Sequence, residues 1–204
     1  MSIPETMSAA TMHGYGGPEV IVVGTCPVPQ PSSTQVLIQV EAAGVNGPDI
    51  MQRKGLYPAP PGASDLLGLE VSGKVVARGA DVTAWALGDQ VTALTDGGGY
   101  AQFCVADARH CLPIPGGISV RDAAGLPESF VTVWSNLFLE GGLEAGRTLL
   151  VHGGQAASAR RPFSLPRRSA FASSPPTARR NGAGSAPNSA RTASSIIRTR
   201  TSCP

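Results

Sequence analysis

The chain has 204 residues, 42% of them hydrophobic, which is enough for about one and a half domains of ~150 residues with buried cores. Its longest apolar runs are too short to cross a bilayer, and its four cysteines lack the C-x-x-C spacing of a zinc ribbon. The net charge of +2 hides two unlike segments. Residues 155–204 carry nine Arg and none of the 14 acidic residues, a net of +9, whereas residues 1–154 carry a net of −7.

The first segment has the pattern of a β-rich domain. Short runs of β-branched and apolar residues alternate with Gly and Pro, as in small barrels and sandwiches. The opening residues contain no basic stretch followed by an apolar run, so we expect no secretory signal, a cytoplasmic location and reduced thiols. The predicted strands cover residues 20–23, 36–40, 69–76, 91–94 and 101–105.

The apolar period becomes helical over residues 120–139. Asp122 is placed to cap its first turn, and the helix restarts near Pro127. A fully apolar strand over residues 148–151 follows and leads directly into His152-Gly153-Gly154. A helix, a buried strand and a glycine turn in this order are typical of the start of a parallel nucleotide-binding domain.

A series of short motifs occurs in order along residues 12–154. They are Gly44-Val45-Asn46, Asp49, Gly55-Leu56-Tyr57-Pro58, Pro60-Pro61-Gly62-Ala63-Ser64-Asp65, Gly68-Leu69-Glu70-Val71-Ser72-Gly73, Gly88-Asp89-Gln90-Val91, Gly97-Gly98-Gly99-Tyr100-Ala101, Leu126-Pro127-Glu128, Thr132-Val133-Trp134 and Leu149-Leu150-Val151-His152-Gly153-Gly154. This series resembles the zinc-free quinone oxidoreductase branch of the medium-chain dehydrogenase/reductase superfamily, near the p53-inducible quinone oxidoreductase type and zeta-crystallin.

The resemblance implies an α+β chain with a GroES-like β-barrel catalytic domain over residues 1–125. The start of a Rossmann cofactor domain would occupy residues 126–154, and an Arg/Ser/Ala/Pro-rich tail residues 155–204. The implied reaction is hydride transfer from NADPH to a quinone or an activated enone, in a cleft between the two domains. Relatives are commonly homodimers through the cofactor domain, an interface that we expect this chain to have lost.

The resemblance also names the site residues. Zinc-dependent relatives place a Cys where Asn46 stands and a His where Leu69 stands, and neither residue here is a suitable zinc ligand, so we expect no metal. Asn46 and Tyr57 would polarise the substrate carbonyl by hydrogen bonding. Asn46, Thr132, His152, Gly153 and Gly154 would contact the cofactor. The residues alone favour a structural interpretation of both, with Asn46 a turn residue and Tyr57 a loop aromatic packed on prolines.

Other polar and sulfur residues of the first segment have structural interpretations. Asp49 would orient the segment or cap the helix that begins near it. Glu70, flanked by apolar residues in a strand, would be a paired structural carboxylate. Cys104 and Cys111 would be buried apolar residues.

The family pattern stops at Gln155. Relatives continue with a glycine-rich turn and a helix similar to Thr-Thr-Ala-Ile-Gln-Leu-Ala-Lys, whereas this chain becomes rich in Ala, Arg, Ser and Pro. Codons read from the third base of each preceding codon permit that same turn and helix. We therefore hypothesise a frameshift after Gly154. The tail has too few apolar residues to offset the entropy of folding, so we expect it to be disordered. Weak or absent NADPH binding and an inactive chain would follow.

Two alternatives stay open at this point. The nine arginines of the tail could bind nucleic acid through phosphate contacts, although they have no interleaved aromatics or regular repeat. A zinc-dependent alcohol dehydrogenase relative is the other, against which Asn46 and Leu69 argue.

Overall fold

The computed structural model describes residues 2–144, 147–150 and 199–200. The chain divides into two units, Met1–Glu128 and Ser129–Pro204. The strands of the first unit are β1 (Thr6–Met12), β2 (Ile21–Pro27), β3 (Gln35–Ala43), β4 (Glu70–Arg78), β5 (Gln90–Leu94), β6 (Phe103–Asp107) and β7 (Cys111–Pro113). The helices are α1 (Gly47–Arg53), α2 (Val120–Ala123) and α3 (Pro127–Trp134), with 3-10 turns at Pro18–Val20 and Ala108–His110.

A five-stranded antiparallel sheet forms the centre of the first unit, in the order β6-β3-β4-β5-β7. β3 and β4 are its long middle strands, and the register between them shifts twice, at Leu37/Ile38 and at Val40/Ala42. Such bulges bend and twist a strand, which curls the sheet. The four predicted strands of this sheet are confirmed, with ends that differ by no more than three residues, and β7 was not predicted.

Alternate side chains of the sheet point to two separate apolar clusters, as the two-residue period of a strand requires. One cluster contains Val36, Ile38, Val71, Val75 and Val91, together with the buried thiols of Cys104 and Cys111. The other contains Met7, Val28, Leu37 and Phe103. The prediction that Cys104 and Cys111 are buried is confirmed.

β1 and β2 form a two-stranded antiparallel hairpin. It joins the rest of the unit through backbone bonds from Ala10 N to Tyr100 O (2.8 Å) and from Gln102 N to Ser8 O (3.1 Å). The strand predicted over residues 20–23 corresponds to β2, which begins one residue later and extends to Pro27. β1 was not predicted, because its Ser, Ala and Thr residues give no apolar alternation.

The helical segment predicted over residues 120–139 is confirmed, with an interruption before Pro127 where we expected the restart. The predicted cap was wrong. Ser119 precedes α2 and accepts the backbone N–H of Asp122 at 3.0 Å, so Asp122 lies in the first turn rather than at the cap. Serine fits this position because its hydroxyl satisfies a free N–H at the helix start.

The second unit, where described, consists of the remainder of α3, a π-helical stretch over Ser135–Glu140, and the strand β8 (Thr148–Leu149). Val133, Leu137 and Leu143 form its buried cluster. β8 pairs antiparallel with β9 (Thr199–Arg200). Thr199 and Arg200 lie in the segment that we expected to be disordered, and these two residues form a strand. Of the helices in the described ranges, none has the length and apolar character needed to span a bilayer.

Candidate active site

Asn46 lies directly before α1, with extended backbone angles (φ −121°, ψ 163°). Its backbone N–H donates to Oδ2 of Asp49 at 2.8 Å. Asp49 is in the first turn of α1, where a carboxylate can satisfy a free backbone N–H and is favoured by the helix dipole. The prediction that Asp49 orients this segment is confirmed. The side-chain amide of Asn46 is half-buried.

The amide of Asn46 is bound to Glu70, the first residue of β4. Asn46 Nδ2 donates to Glu70 Oε1 at 2.8 Å, and the backbone N–H of Glu128 donates to Oε2 at 2.9 Å. Glu70 is buried, with 2% of its surface exposed. A buried carboxylate requires such donors because it has lost its hydration. The prediction that Glu70 is a paired structural carboxylate is confirmed, and its partners lie outside its own strand.

Gly44 makes room for this carboxylate. A Cβ atom at position 44 would overlap Glu70 Oε1, and the Cγ and Cδ atoms of Glu70 are also too close to permit one. The requirement is steric rather than conformational, because the backbone of Gly44 does not have a positive φ. The Gly-Val-Asn motif thus supplies both the amide that binds Glu70 and the space in which Glu70 lies.

Asp49 is equally buried and connects three segments. Its oxygens accept the N–H of Asn46, the N–H of Gly68 at 3.1 Å and the phenol of Tyr100 at 3.0 Å. Gly68 has φ +105°, and a Cβ there would lie 2.7 Å from the Cα of Gly99. Glycine is needed at position 68 for both reasons. The loops before β4 and before β6 are therefore held against the start of α1.

The electrostatics of the site depend on two buried carboxylates, Asp49 and Glu70. They act on Tyr100, whose pKa is raised above its ordinary value of 10.0. Burial of the phenol is the largest cause, followed by the charge of Asp49 and the hydrogen bond to it, and then by the charge of Glu70. Tyr100 consequently stays a neutral hydrogen-bond donor to Asp49 at physiological pH.

The donor set at Asn46 and Glu70 is poorly suited to zinc. Leu69 has no donor atom, and the amide nitrogen of Asn46 is engaged with Glu70. Catalytic zinc sites use three protein ligands chosen from Cys, His, Asp and Glu. Within residues 2–144 and 147–150, His, Cys, Asp and Glu side chains form no group of three that could hold a metal ion.

Tyr57 lies on the loop between α1 and β4, with 46% of its surface exposed. Leu56 beside it is 65% exposed. The ring of Tyr15 packs on Gly55, where an added Cβ would lie 3.0 Å from the ring atoms. Tyr15 is itself largely exposed. Tyr57 thus lies two residues from Gly55, against which Tyr15 packs, and we call the exposed residues Tyr15, Leu56 and Tyr57 the Tyr15–Tyr57 surface.

The predicted cofactor residues outside the first unit lie in different parts of the chain. Thr132 is half-buried in α3 of the second unit, and its carbonyl accepts the side-chain N–H of Asn136 at 2.7 Å. His152, Gly153 and Gly154 lie outside the described residues. The structure therefore brings together Asn46, Asp49, Glu70 and Tyr100. Sequence reasoning had included Asn46 in the site and had missed the roles of Gly44 and Tyr100.

The chain is similar to several known proteins. The alcohol dehydrogenase GroES-like domain family matches residues 32–116. Quinone oxidoreductase of Lama guanicoe is 36% identical over 149 residues, which are 72% of this chain and 45% of the relative. The synaptic vesicle membrane protein VAT-1 homolog of Danio rerio is 33% identical over 148 residues, covering 72% of this chain and 31% of the relative.

The chain is thus similar to the quinone oxidoreductase branch of the medium-chain dehydrogenase/reductase superfamily. A solved NAD-dependent alcohol dehydrogenase also superposes on the chain, with a TM-score of 0.60 at 29% identity over 70% of this chain and 49% of that one. The GroES-like fold expected for the first segment is confirmed. The chain spans less than half the length of the relatives it matches.

Solved structures show the same fold. The human VAT-1 homolog-like protein superposes with a TM-score of 0.70 at 30% identity, over 76% of this chain and 50% of that one. An alcohol dehydrogenase superfamily protein from Novosphingobium aromaticivorans superposes with a TM-score of 0.66 at 35% identity, over 76% and 48% of the two chains.

Proposed function

We propose that the first unit is the substrate-binding part of a zinc-independent NADPH:quinone or enone oxidoreductase. The observation that carries this proposal is the Asn46 amide, bound to the buried carboxylate of Glu70 at the position where zinc-dependent relatives have a cysteine ligand. The 36% identity to quinone oxidoreductases supports the same assignment.

The chemistry requires a hydrogen-bond donor near the acceptor carbonyl. When bound, the nicotinamide supplies the hydride, and negative charge then develops on the oxygen of the quinone or enone. A preorganised donor stabilises this charge. An amide carries two N–H groups, and Asn46 uses one for Glu70. Among the residues that the structure describes, no acceptor takes the second, which is available for a ligand oxygen. The same residue could equally bind the carboxamide of the nicotinamide.

Tyr57 would serve as the second polar group. Its phenol is exposed on the Tyr15–Tyr57 surface, where apolar side chains favour the rings of a quinone. We propose that Tyr57 donates to the substrate oxygen while Leu56 and Tyr15 contact its apolar rim. Substrates with larger apolar ring systems would then bind more tightly than benzoquinone.

For the cofactor we propose NADPH, with Asn46 and Thr132 near the nicotinamide and His152, Gly153 and Gly154 beside the pyrophosphate. Glycines after a buried strand allow the backbone to approach phosphate closely. Of these residues the described ranges contain Asn46, which retains a free amide hydrogen, and Thr132, which is half-buried. Both can hydrogen-bond a nicotinamide, so the residues present fit the group.

We also propose that residues 155–204 are read out of frame and that residues 1–125, 126–154 and 155–204 are the functional divisions of the chain. Their composition, with nine Arg and no acid, is unlike that of the preceding residues. The 204-residue chain would accordingly bind NADPH weakly and lack the family's homodimer interface, and the frame-restored protein would be a cytoplasmic enzyme. Sequencing the gene across codons 150–165 tests this, and early stop codons in the shifted frame would refute it.

The functional test compares the 204-residue chain with the product of the frame-restored gene. Titration of NADPH fluorescence should show no micromolar binding by the former and micromolar binding by the latter. Micromolar binding by the 204-residue chain would refute the proposed loss of the cofactor site. NADPH oxidation followed at 340 nm should depend on added quinone and persist after treatment with a zinc chelator. Loss of activity on chelation would contradict the zinc-independent mechanism.

A further inference from the structure

The two oxygens of Glu70 have different donors, and this division determines how the Asn46 amide faces. Oε1 accepts from Asn46 Nδ2, and Oε2 accepts from the backbone N–H of Glu128. A carboxylate can only accept hydrogen bonds, so the amide must turn its NH2 group towards Glu70. The alternative orientation would place Asn46 Oδ1 against Glu70 Oε1, two acceptors in contact, which is unfavourable.

The backbone and the side chain of Asn46 are therefore both held by hydrogen bonds. Asp49 holds the backbone N–H at 2.8 Å, and Glu70 holds the side-chain nitrogen at 2.8 Å. Gly44 allows the carboxylate of Glu70 to lie close enough for this contact. Since Glu70 and Asp49 are each only 2% exposed, water has little access to compete for these bonds.

We infer that Glu70 is a positioning residue that sets the direction in which Asn46 presents its remaining amide N–H. The inference rests on the proposed function, which supplies the quinone or enone oxygen as the group that receives this N–H. Glu70 does not itself contact the substrate in this scheme. It acts through Asn46, by excluding the flipped amide that would present a carbonyl oxygen to an electron-rich ligand.

The Glu70→Gln substitution should reverse the orientation of the Asn46 amide. Glutamine has a single acceptor oxygen, whereas both Asn46 and Glu128 donate to Glu70. The backbone N–H of Glu128 cannot rotate, so the glutamine oxygen should stay with it and the glutamine NH2 should face Asn46. The Asn46 amide should then flip, which preserves a hydrogen bond but reverses the group that Asn46 offers.

The test uses nuclear magnetic resonance of the ¹⁵N-labelled 204-residue chain, with the Asn46 side-chain signal assigned by its loss in Asn46→Ala. In the wild type, the Asn46 NH2 protons should exchange with solvent at least ~10-fold more slowly than those of a freely exposed asparagine, because one of them is bound to a buried carboxylate. In Glu70→Gln that protection should be lost and the proton shift should move upfield. Glu41→Gln, a carboxylate-to-amide change at an exposed position of β3, should alter neither.

A second measurement covers the case in which Glu70→Gln folds poorly. Asn46→Asp should increase the equilibrium constant for unfolding at least ~10-fold, because two carboxylates would then face one another. The double variant Asn46→Asp/Glu70→Gln should recover most of that loss, since the glutamine NH2 can donate to the new carboxylate. Unchanged Asn46 signals in Glu70→Gln, or additive losses in the double variant, would overturn the inference. An inactive enzyme with these signals as expected would refute the proposed function alone.

Discussion

Gly44 lies directly against the carboxylate of Glu70, at a separation that leaves no space for a side chain at position 44. The contact joins the end of β3 to the start of β4, where the backbone N–H of Gly44 also donates to the carbonyl of Glu70 at 3.1 Å. A glycine in a loop and an acid in a strand are thus parts of one arrangement, which holds Asn46.

Gly44→Ala should displace the Glu70 carboxylate from Asn46. The added methyl group overlaps that carboxylate, and its movement would break two hydrogen bonds to a charged group, so we expect a loss of about 2–3 kcal/mol in the free energy of unfolding. Urea denaturation measures this. Gly47→Ala is the matched control, because a Cβ there meets no atom within 4 Å, and it should change stability by no more than ~0.5 kcal/mol. Equal effects of the two substitutions would contradict the account.

Tyr100→Phe should destabilise the protein by about 1.5–3 kcal/mol, since it removes one of the three donors to the buried carboxylate of Asp49. Tyr15→Phe, at a largely exposed ring, should have almost no effect. Urea denaturation at pH 8 gives both values. The role given to Asp49 would be refuted if Tyr100→Phe were as stable as the wild type while Tyr15→Phe lost much of its stability.

The difference in the free energy of unfolding between the wild type and Tyr100→Phe should also depend on pH. Folding raises the pKa of the phenol, so the unfolded chain releases this proton first, near pH 10, while the folded chain retains it. The stability contributed by Tyr100 is therefore fully present below pH 10 and is lost as the pH rises towards its folded pKa. The gap in stability between the wild type and Tyr100→Phe should narrow from pH 9.5 to pH 11. A gap that stays constant over this range would show that Tyr100 titrates normally.

Ser72 and Thr92 face each other across β4 and β5 and should respond in opposite ways. Thr92 Oγ1 lies 2.7 Å from the carbonyl of Ala123, whereas Ser72 Oγ is buried and has no hydrogen-bond partner among the residues described. Thr92→Val should cost about 1–2 kcal/mol, and Ser72→Ala should be neutral or stabilising by up to ~1 kcal/mol. Thermal unfolding compares them. A clear destabilisation by Ser72→Ala would reveal a partner for its hydroxyl.

Cys104 and Cys111 should be slow to alkylate. Burial raises the pKa of each thiol from 9.0 to about 12, with the charge of Asp107 adding to the effect at Cys111, and thiolate is the reactive form. At pH 8, iodoacetamide should modify the half-buried Cys26 at least ~10-fold faster than either. Peptide mass spectrometry resolves the three sites, and urea should abolish the difference. Rapid labelling of Cys104 in the native chain would contradict the described core.

The sequence was informative wherever structure depends on neighbouring residues. Runs such as those in β3 and β5 show their strands directly, and Pro127 marks the start of α3. The site depends on distant residues instead. Glu70 is 24 residues from Asn46 and 58 from Glu128, and Asp49 is 51 from Tyr100. The hydrophobic pattern of a sequence does not show such distant pairings. Asn46 could therefore be assigned from a family motif, and Asp49 and Glu70 could be given structural roles, but their partners could not be named.

The most direct test of the central claim is the rate of quinone-dependent NADPH oxidation by the frame-restored protein and its Asn46→Ala variant. The account predicts steady turnover by the former and a kcat at least ~10-fold lower in the variant, because a preorganised donor to the developing oxyanion is removed. Glu41→Gln, at an exposed position of β3 to which no part in the site is assigned, serves as the comparison for nonspecific losses. Equal kcat values for the frame-restored protein and Asn46→Ala would contradict the assignment of Asn46, and no oxidation of NADPH with any quinone would contradict the proposed function.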